Sequence, residues 1–433
     1  MVAAASGPDH GAHHGVNHDP SSEQTVTPKT PLLTLDDARA RMLAEVVPVA
    51  ETEDIPLAAL SRRILARAVH APRDLPPADN SAMDGYAVRH ADLVPGVRLR
   101  LIGSALAGAP FAGTVRAGEC VRITTGGNLP AGADTVVIQE DVERTGDQVR
   151  LTAELGERGA NVRRAGEDVA RGERVLPAGR RLGAIEIGVL ATLGLAAATV
   201  RRRLRVALFA SGDELRPPGE ALAPGQIHDS NRYVIAAMLD RLGAEVLDLG
   251  IVRDDPQRLR SAFVQGAANT DLVITCGGAS VGEADHVRAL LDELGEVGFW
   301  KVALKPGKPF IFGRLGTAFV CGLPGNPVSA LVTFHQLVAP AIRKLQGADD
   351  PAPLCISASA GAPLRRNRTR LELLRGRLEA DGAGGWRALP DPQQSSGAFA
   401  SLARCNAFIL VPAGSGVIAT GEMVQVLPFD DLL

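Results

Sequence analysis

Lysine is scarce in this chain of 433 residues, and of the five present three fall in Lys301-Val302-Ala303-Leu304-Lys305-Pro306-Gly307-Lys308-Pro309. Lys301, Lys305 and Lys308 thus place three ammonium charges on a loop stiffened by proline and glycine, a grouping suited to phosphate or another oxyanion. A solvated charge run is the plainer alternative. Glu214, Asp254 and Asp285 form a second group. Brought to one edge they would repel one another unless a cation sat between them, and carboxylate oxygens are the ligand set of Mg2+. Taken singly, acids such as Asp213 and Asp254 could equally cap helices or make turns. Two glycine-rich loops complete the set: Gly277-Gly278-Ala279-Ser280-Val281-Gly282 and Gly322-Leu323-Pro324-Gly325-Asn326-Pro327. Each follows an apolar run and precedes a helical one, so each is either a tight turn or an anion cradle at a helix start. Pro327 suits a first helical turn, where its missing amide hydrogen costs nothing.

The elements that must position these groups follow from hydrophobic periodicity. From about 203 to 347, apolar strands alternate with helical patterns: strands at 205–210, 245–250, 271–276 and 317–321, helices at 232–242, 257–268, 285–294 and 328–345. Such alternation predicts a doubly wound parallel sheet covered on both faces. In that fold ligands sit outside the carboxyl ends of the strands. All the groups above lie in loops that leave those ends.

Elsewhere the pattern changes. Residues 1–31 are polar, low in complexity and carry His10, His13, His14 and His18; they read as a disordered tail without a secretory signal. Thr34 caps a helix beginning with Asp36 and Asp37 and an apolar face of Ala38, Met42 and Val46. Between 72 and 164, short β-branched runs such as 120–124 and 135–138 alternate with turn residues, which predicts a β-rich insertion. It would interrupt a first, mixed helical and strand domain made of 32–71 and 165–203. Residues 349–433, with strands at 370–377, 407–411 and 423–428, predict a C-terminal β-domain. The apolar stretch 182–200 carries Glu186 and Gly194 and reads as a buried helix, a turn and a strand, not a membrane span. A net charge of −3 gives no pull toward nucleic acid or anionic lipid. Five spaced cysteines without a C-x-x-C pair fit a reducing, cytoplasmic setting. Cys276 and Cys321 read as core-edge residues more than as ligands.

Six segments, in this order, resemble the molybdopterin molybdenumtransferase family, which includes bacterial MoeA and the E domain of gephyrin: Asp79–Ala87 (DNSAMDGYA), Arg163–Asp168 (RRAGED), Ser211–Leu215 (SGDEL), Gly277–Asp285 (GGASVGEAD), Lys305–Pro309 (KPGKP) and Gly322–Pro327 (GLPGNP). The resemblance runs from about Leu33 to Leu433. It implies four domains, a homodimer, and a cleft shared between the α/β domain of one subunit and the β-rich half of the other. It implies that adenylated molybdopterin and molybdate react, with Mg2+, to give molybdenum cofactor and AMP. Asp84, Thr125 and Asp168 would line one side; Glu214, Asp254, Asp285, Lys301, Lys305 and Lys308 the other, with Glu214, Asp254 and Asp285 as metal ligands. Gly277, Gly278, Ser280, Gly282, Gly322, Pro324, Gly325 and Asn326 would hold the pterin compound. The match is looser at Ser395–Leu402, where it assigns Ser401 and where Arg404-Cys405 holds an extra residue. Ser211 stands where the family commonly has threonine. Implied partners are molybdopterin adenylyltransferase and the maturation factors of molybdoenzymes. The α/β part alone also resembles the adenylyltransferase, and a scaffold or carrier without transferase activity is the alternative from another functional class.

Overall fold

The computed structural model describes residues 32–433, apart from 153, 155, 278–283, 350–352 and 431. The histidine-bearing tail and Gly278, Ser280 and Gly282 lie outside the described residues. Helix α1 (Leu35–Glu45) starts where the sequence requires: Thr34 accepts from the Asp37 N–H, and Leu35, Ala38 and Met42 are buried. Residues Thr52–Pro56 then pair antiparallel with Ala197–Arg201, and Val69–His70 with Arg174–Leu176. Between these partners runs a six-stranded sheet that contains Gly85–Val88, Glu119–Ile123 and Thr135–Ile138. The β-rich segment is therefore threaded through a unit whose two halves meet in space. Helix α2 (Ala184–Thr192) ends before Gly194, as expected from that glycine. It is only half-buried, since Ile185 is 79% exposed. Glu186, whose charge spoke against a membrane span, is 6% exposed and takes its counter-charge from Arg180 at 2.5 Å. Among the described residues no helix is long and apolar enough to cross a membrane.

The next unit holds strands β1 (Arg205–Ser211), β2 (Glu245–Val252), β3 (Leu272–Cys276), β4 (Glu296–Lys301), β5 (Pro309–Leu315) and β6 (Ala318–Leu323), in the spatial order β2-β1-β3-β6-β5-β4. The first four are parallel, as the alternation required. The sheet is nevertheless mixed, because β5 pairs antiparallel with both β6 and β4. Its helices are α3 (Asn231–Arg241), α4 (Pro256–Asn269), α5 (Ala284–Leu294) and α6 (Pro327–Thr333). The chain after α6 continues through a π-helical turn at Phe334–Val338 into Ala339–Leu345, so one uninterrupted helix at 328–345 is corrected to three segments. One face of the sheet packs Phe209 edge-on against Phe263, ring centroids 5.1 Å apart. The other face joins the largest core, which also takes in Met42 from α1 and Leu373, Phe408 and Leu427 from the C-terminal unit. That unit is a third six-stranded sheet, with β7 (Leu371–Ala380) paired to Trp386–Pro390 and Ala407–Val411.

The π-turn carries a polar chain that ties three parts together. Arg39 of α1 donates to the Gln336 carbonyl and to its Oε1, both at 3.1 Å. A guanidinium only donates, so the Gln336 amide is fixed with Nε2 toward His335 Nδ1, at 2.8 Å. His335 Nε2 then lies 3.2 Å from Asp430 Oδ2, and Arg343 is 3.5 Å from the same oxygen. Burial alone would raise the Asp430 carboxyl, but His335, Arg343 and the Leu432 N–H outweigh it and bring it down to about 2. A depressed carboxyl contributes stability above its unfolded value near 4, and loses it as pH falls through 2. Asp430→Asn is therefore expected to lower stability at pH 7 by up to ~2 kcal/mol and to flatten the acid limb between pH 4 and 2. Urea unfolding across that range measures both.

Candidate active site

The order β2-β1-β3-β6 makes the chain reverse its direction of travel between β1 and β3, which is the switch point where such sheets open a crevice. Two features keep these strands close. At the entry end, Arg202 grips Asp271 through Nη1–Oδ2 at 2.8 Å and Nη2–Oδ1 at 3.0 Å, and the Arg205 N–H adds a third bond. At the exit end, Gly277 has φ +101°, and a Cβ there would lie 2.6 Å from the Ser211 carbonyl oxygen. Only glycine fits. Gly325, from the second glycine loop, faces the Gly277 Cα, and its carbonyl accepts from Asn231 Nδ2 at 2.7 Å. The two glycine loops and the start of α3 thus meet at one point.

Polar groups at this point lack partners. Ser211 Oγ, Thr275 Oγ1 and Asn231 Oδ1 are buried and, among the described residues, have no hydrogen-bond partner. Ser211 and Thr275 alternate with Phe209 and Val273 of one core cluster, so both hydroxyls lie on that face of adjacent strands. Such groups cost free energy unless something hydrogen-bonds them. Asn231 and Thr275 are not among the residues the sequence singled out. Asn231 could have been found from the Asp229-Ser230-Asn231 run that begins α3; Thr275 reads as one more strand residue. Cys276 and Cys321 are each 1% exposed, and burial pushes both thiols far up, which removes them as thiolate ligands at neutral pH.

The acids leave neighbouring strands. Ser211 and Val252 are paired at the ends of β1 and β2, so Glu214 and Asp254 emerge side by side. The Glu214 carboxylate folds back over Gly212. A groove of about 720 Å3 runs beside the same loop, lined by Arg253, Asp255 and Arg258. Asp285 sits in the first turn of α5, on the far side of the switch point. Among the described residues no three acidic, histidine or cysteine side chains cluster as a metal site. The donor chemistry of Glu214 and Asp254, oxygen only, still suits Mg2+, not a softer metal.

Lys301 ends β4, and its carbonyl accepts from the Leu33 N–H at 2.9 Å. The Lys308 carbonyl accepts from the Val302 N–H at 2.8 Å, and the side chains of both lysines are exposed. Lys305 differs: its Nζ donates to Glu372 Oε1 of β7 at 2.7 Å. Gly322 lies within β6, Pro324 is buried just beyond it, and Asn326 is exposed and caps α6. Among the first amides of α6, Pro327 has none and that of Val328 goes to the Ser396 carbonyl at 3.1 Å, which narrows the anion cradle expected there. Ser401 is placed elsewhere in chemical terms: it is 2% exposed and its hydroxyl donates to the Ala398 carbonyl at 2.7 Å.

In the β-rich segment, Gly85 sits under the Val137 carbonyl with no room for a Cβ, which fixes the backbone beside Asp84. Thr125 donates to Asp84 Oδ1 twice, through N–H at 2.7 Å and through its hydroxyl at 2.9 Å. These bonds, the backbone one first, hold the carboxyl below the usual range, with a smaller pull from Arg122. Asp168 is exposed, with its N–H bonded to the Leu75 carbonyl, and nearby Asp79 binds Arg164 at 2.7 Å and the Ala165 N–H at 2.9 Å. The hydrogen bonds of Asp84 and Thr125 stay within their own segment. A cavity of about 690 Å3 among Arg62, Leu182, His335, Arg343 and Phe429 contains none of the candidate residues.

Comparison with known proteins covers nearly all of these elements. Residues 33–194 match the MoeA N-terminal region (domain I and II), 207–344 a probable molybdopterin binding domain, and 357–429 the MoeA C-terminal region (domain IV). A molybdopterin molybdenumtransferase of Haemophilus influenzae is 42% identical over 93% of this chain and 100% of its own. Molybdopterin molybdenumtransferase 1 of Mycobacterium tuberculosis is 36% identical over 82% of this chain and 89% of its own. The crystal structure of a molybdopterin biosynthesis MoeA protein from Pyrococcus horikoshii superposes with a TM-score of 0.76 at 32% identity, over 92% of this chain and 99% of that one. With the match spanning the glycine loops, the acids and the lysine loop together, this chain belongs to the molybdopterin molybdenumtransferase family.

Proposed function

We propose that this protein inserts molybdate into adenylated molybdopterin, releasing AMP and leaving molybdenum cofactor, in a cleft that two subunits share. The observation that carries this reading is the switch point, where two glycine loops meet beside buried hydroxyls that have no partner among the described residues, on the same carboxyl edge of the sheet from which the lysine loop leaves β4. A polar pterin with an attached nucleotide has donors to satisfy the hydroxyls and phosphates to meet N–H groups and ammonium charges. A scaffold or carrier would need none of the acids. Two molybdenum–sulfur bonds form as one molybdenum–oxygen bond breaks, the displaced oxide leaving as water with the two thiol protons. Opening of the phosphoanhydride by water leaves AMP and the phosphate of the pterin.

Two anions must approach, so the protein's work is positioning and charge compensation. Lys301 and Lys308 supply exposed ammonium groups for molybdate or phosphate, and Lys305 a tethered one. The Gly325 and Asn326 loop, held by Asn231, orients the pterin compound. Mg2+ held by Glu214, Asp254 and Asp285 would offset charge on the phosphoanhydride. Asp84, ionised and fixed by Thr125, would reach the cleft from the partner subunit together with Asp168 and accept a proton or a hydrogen bond. Free cysteines throughout the described chain agree with a cytoplasmic setting. Molybdopterin adenylyltransferase would supply the substrate, and molybdoenzyme maturation factors would receive the product.

The purified protein, given adenylated molybdopterin, Mg2+ and micromolar molybdate, is expected to release AMP in step with bound molybdenum. Asp84→Ala and Glu214→Ala should each lower that rate by about 100-fold or more, the scale of a lost acid–base or electrostatic group. Wild type that binds the pterin without AMP release would leave the carrier reading instead. Thr125→Val keeps the backbone donor and removes the hydroxyl. The Asp84 carboxyl is therefore expected to rise part of the way toward its ordinary value in a carbon-13 NMR titration, still remaining ionised at pH 7.

A further inference from the structure

We infer that Glu372, on β7 of the C-terminal unit, is a positioning residue for Lys305 and so for the anion site that the lysine loop makes. The role rests on the oxyanion reading of that loop given above. Leu304–Lys305 forms a short strand parallel to the start of β7, with Leu304 opposite Leu371 and Lys305 opposite Glu372. The Leu371 N–H donates to the Ala303 carbonyl at 2.9 Å, which locks this register. Parallel neighbours present side chains on one face, and Lys305 Nζ accordingly meets Glu372 Oε1 at 2.7 Å.

The two ends of the pair differ. The Glu372 side chain is 8% exposed and that of Lys305 48%. The other flank of Glu372 is Val411, and among the described residues Lys305 is its only side-chain partner. A single half-exposed ammonium is a poor device for stability, since a buried carboxylate loses water that one bond scarcely replaces, and an apolar side chain would serve a strand as well. What the arrangement achieves is direction. Lysine is a flexible point charge, and here its head is held at one place while half of it stays open to solvent. An arriving oxyanion meets an ammonium whose position is already set, and the ordering cost of a four-carbon stem is met before binding. The C-terminal unit thereby enters the site without touching substrate.

The test uses the full chain and two readouts. In trace acetylation with mass spectrometry, Lys305 should react several-fold more slowly than Lys301 and Lys308, and in Glu372→Gln at a rate like theirs. Calorimetric titration with inorganic molybdate should show affinity about tenfold weaker in Glu372→Gln, largely restored in Glu372→Asp, with melting temperatures confirming folding. In a Lys305→Met background the same Glu372→Gln change should cost nothing further, because its partner is gone. Unchanged acetylation would overturn the positioning. Equal losses with and without Lys305 would make Glu372 an independent structural residue. Altered acetylation with unaltered molybdate affinity would remove its role in the site. Wild type that binds no molybdate would instead overturn the oxyanion reading itself, and this role with it, while leaving the ion pair to be judged by acetylation alone.

Discussion

The separation of β1 and β3 is the constraint on which the candidate site depends. At residue 277 the chain passes so near the Ser211 carbonyl that no side chain can stand between them. At the opposite end the Arg202–Asp271 pair holds the same two strands, and its guanidinium, with the Arg205 amide, keeps the half-buried Asp271 ionised although burial alone would raise its carboxyl. With both ends fixed, the register from Val206↔Leu272 to Ala210↔Cys276 has no freedom to slip, and a slip by one residue would turn Ser211 and Thr275 to the wrong face. The loops that leave β1 and β3 are then anchored to strands whose height is set.

The charges are arranged on the same logic. Acids leave β1 and β2 on one side of the switch point, and the lysine loop leaves β4 at the far edge of the sheet. Carboxylates and ammonium groups are thereby kept in different places along the same edge of the sheet. Buried cysteines at the end of β3 and within β6 keep these strands apolar without adding a reactive thiolate, since burial holds both thiols protonated.

Much of this was legible in the sequence because local rules governed it. The Thr34 cap, the break at Gly194, the alternation of parallel strands and helices, and the proline opening α6 each follow from backbone chemistry over a few residues. The β4–β5 hairpin at the sheet edge was missed: Glu296–Lys301 and Pro309–Leu315 have no helix between them, and their pairing is antiparallel, which the alternating pattern does not signal. The π-turn at Phe334–Val338 has no sequence signature beyond an ordinary apolar helix. Partnerships across the chain were also out of reach. Glu372 lies 67 residues from Lys305, and nothing in the composition of β7 marks it. Ser401 shows the converse, since a serine-rich stretch suggested a ligand contact where the fold places a hydroxyl bonded to its own helical turn.

These cross-chain partnerships bear on what the C-terminal unit contributes. Phe408, Leu373 and Leu427 join the main core, and such apolar contact would be enough to attach it. Apolar burial is non-directional, however, and would tolerate small rotations of one sheet over the other. Three polar contacts do not: the Ser396 carbonyl on the Val328 amide, Glu372 on Lys305, and Asp430 on His335 and Arg343. The first two are directed hydrogen bonds and the third a set of ion-pair contacts, and two of the three fall on loops or helix starts that carry candidate site residues. The orientation of the C-terminal unit and the shape of the proposed anion site are therefore one variable, because rotating the unit would withdraw the carboxylate from Lys305 and the carbonyl from α6 together.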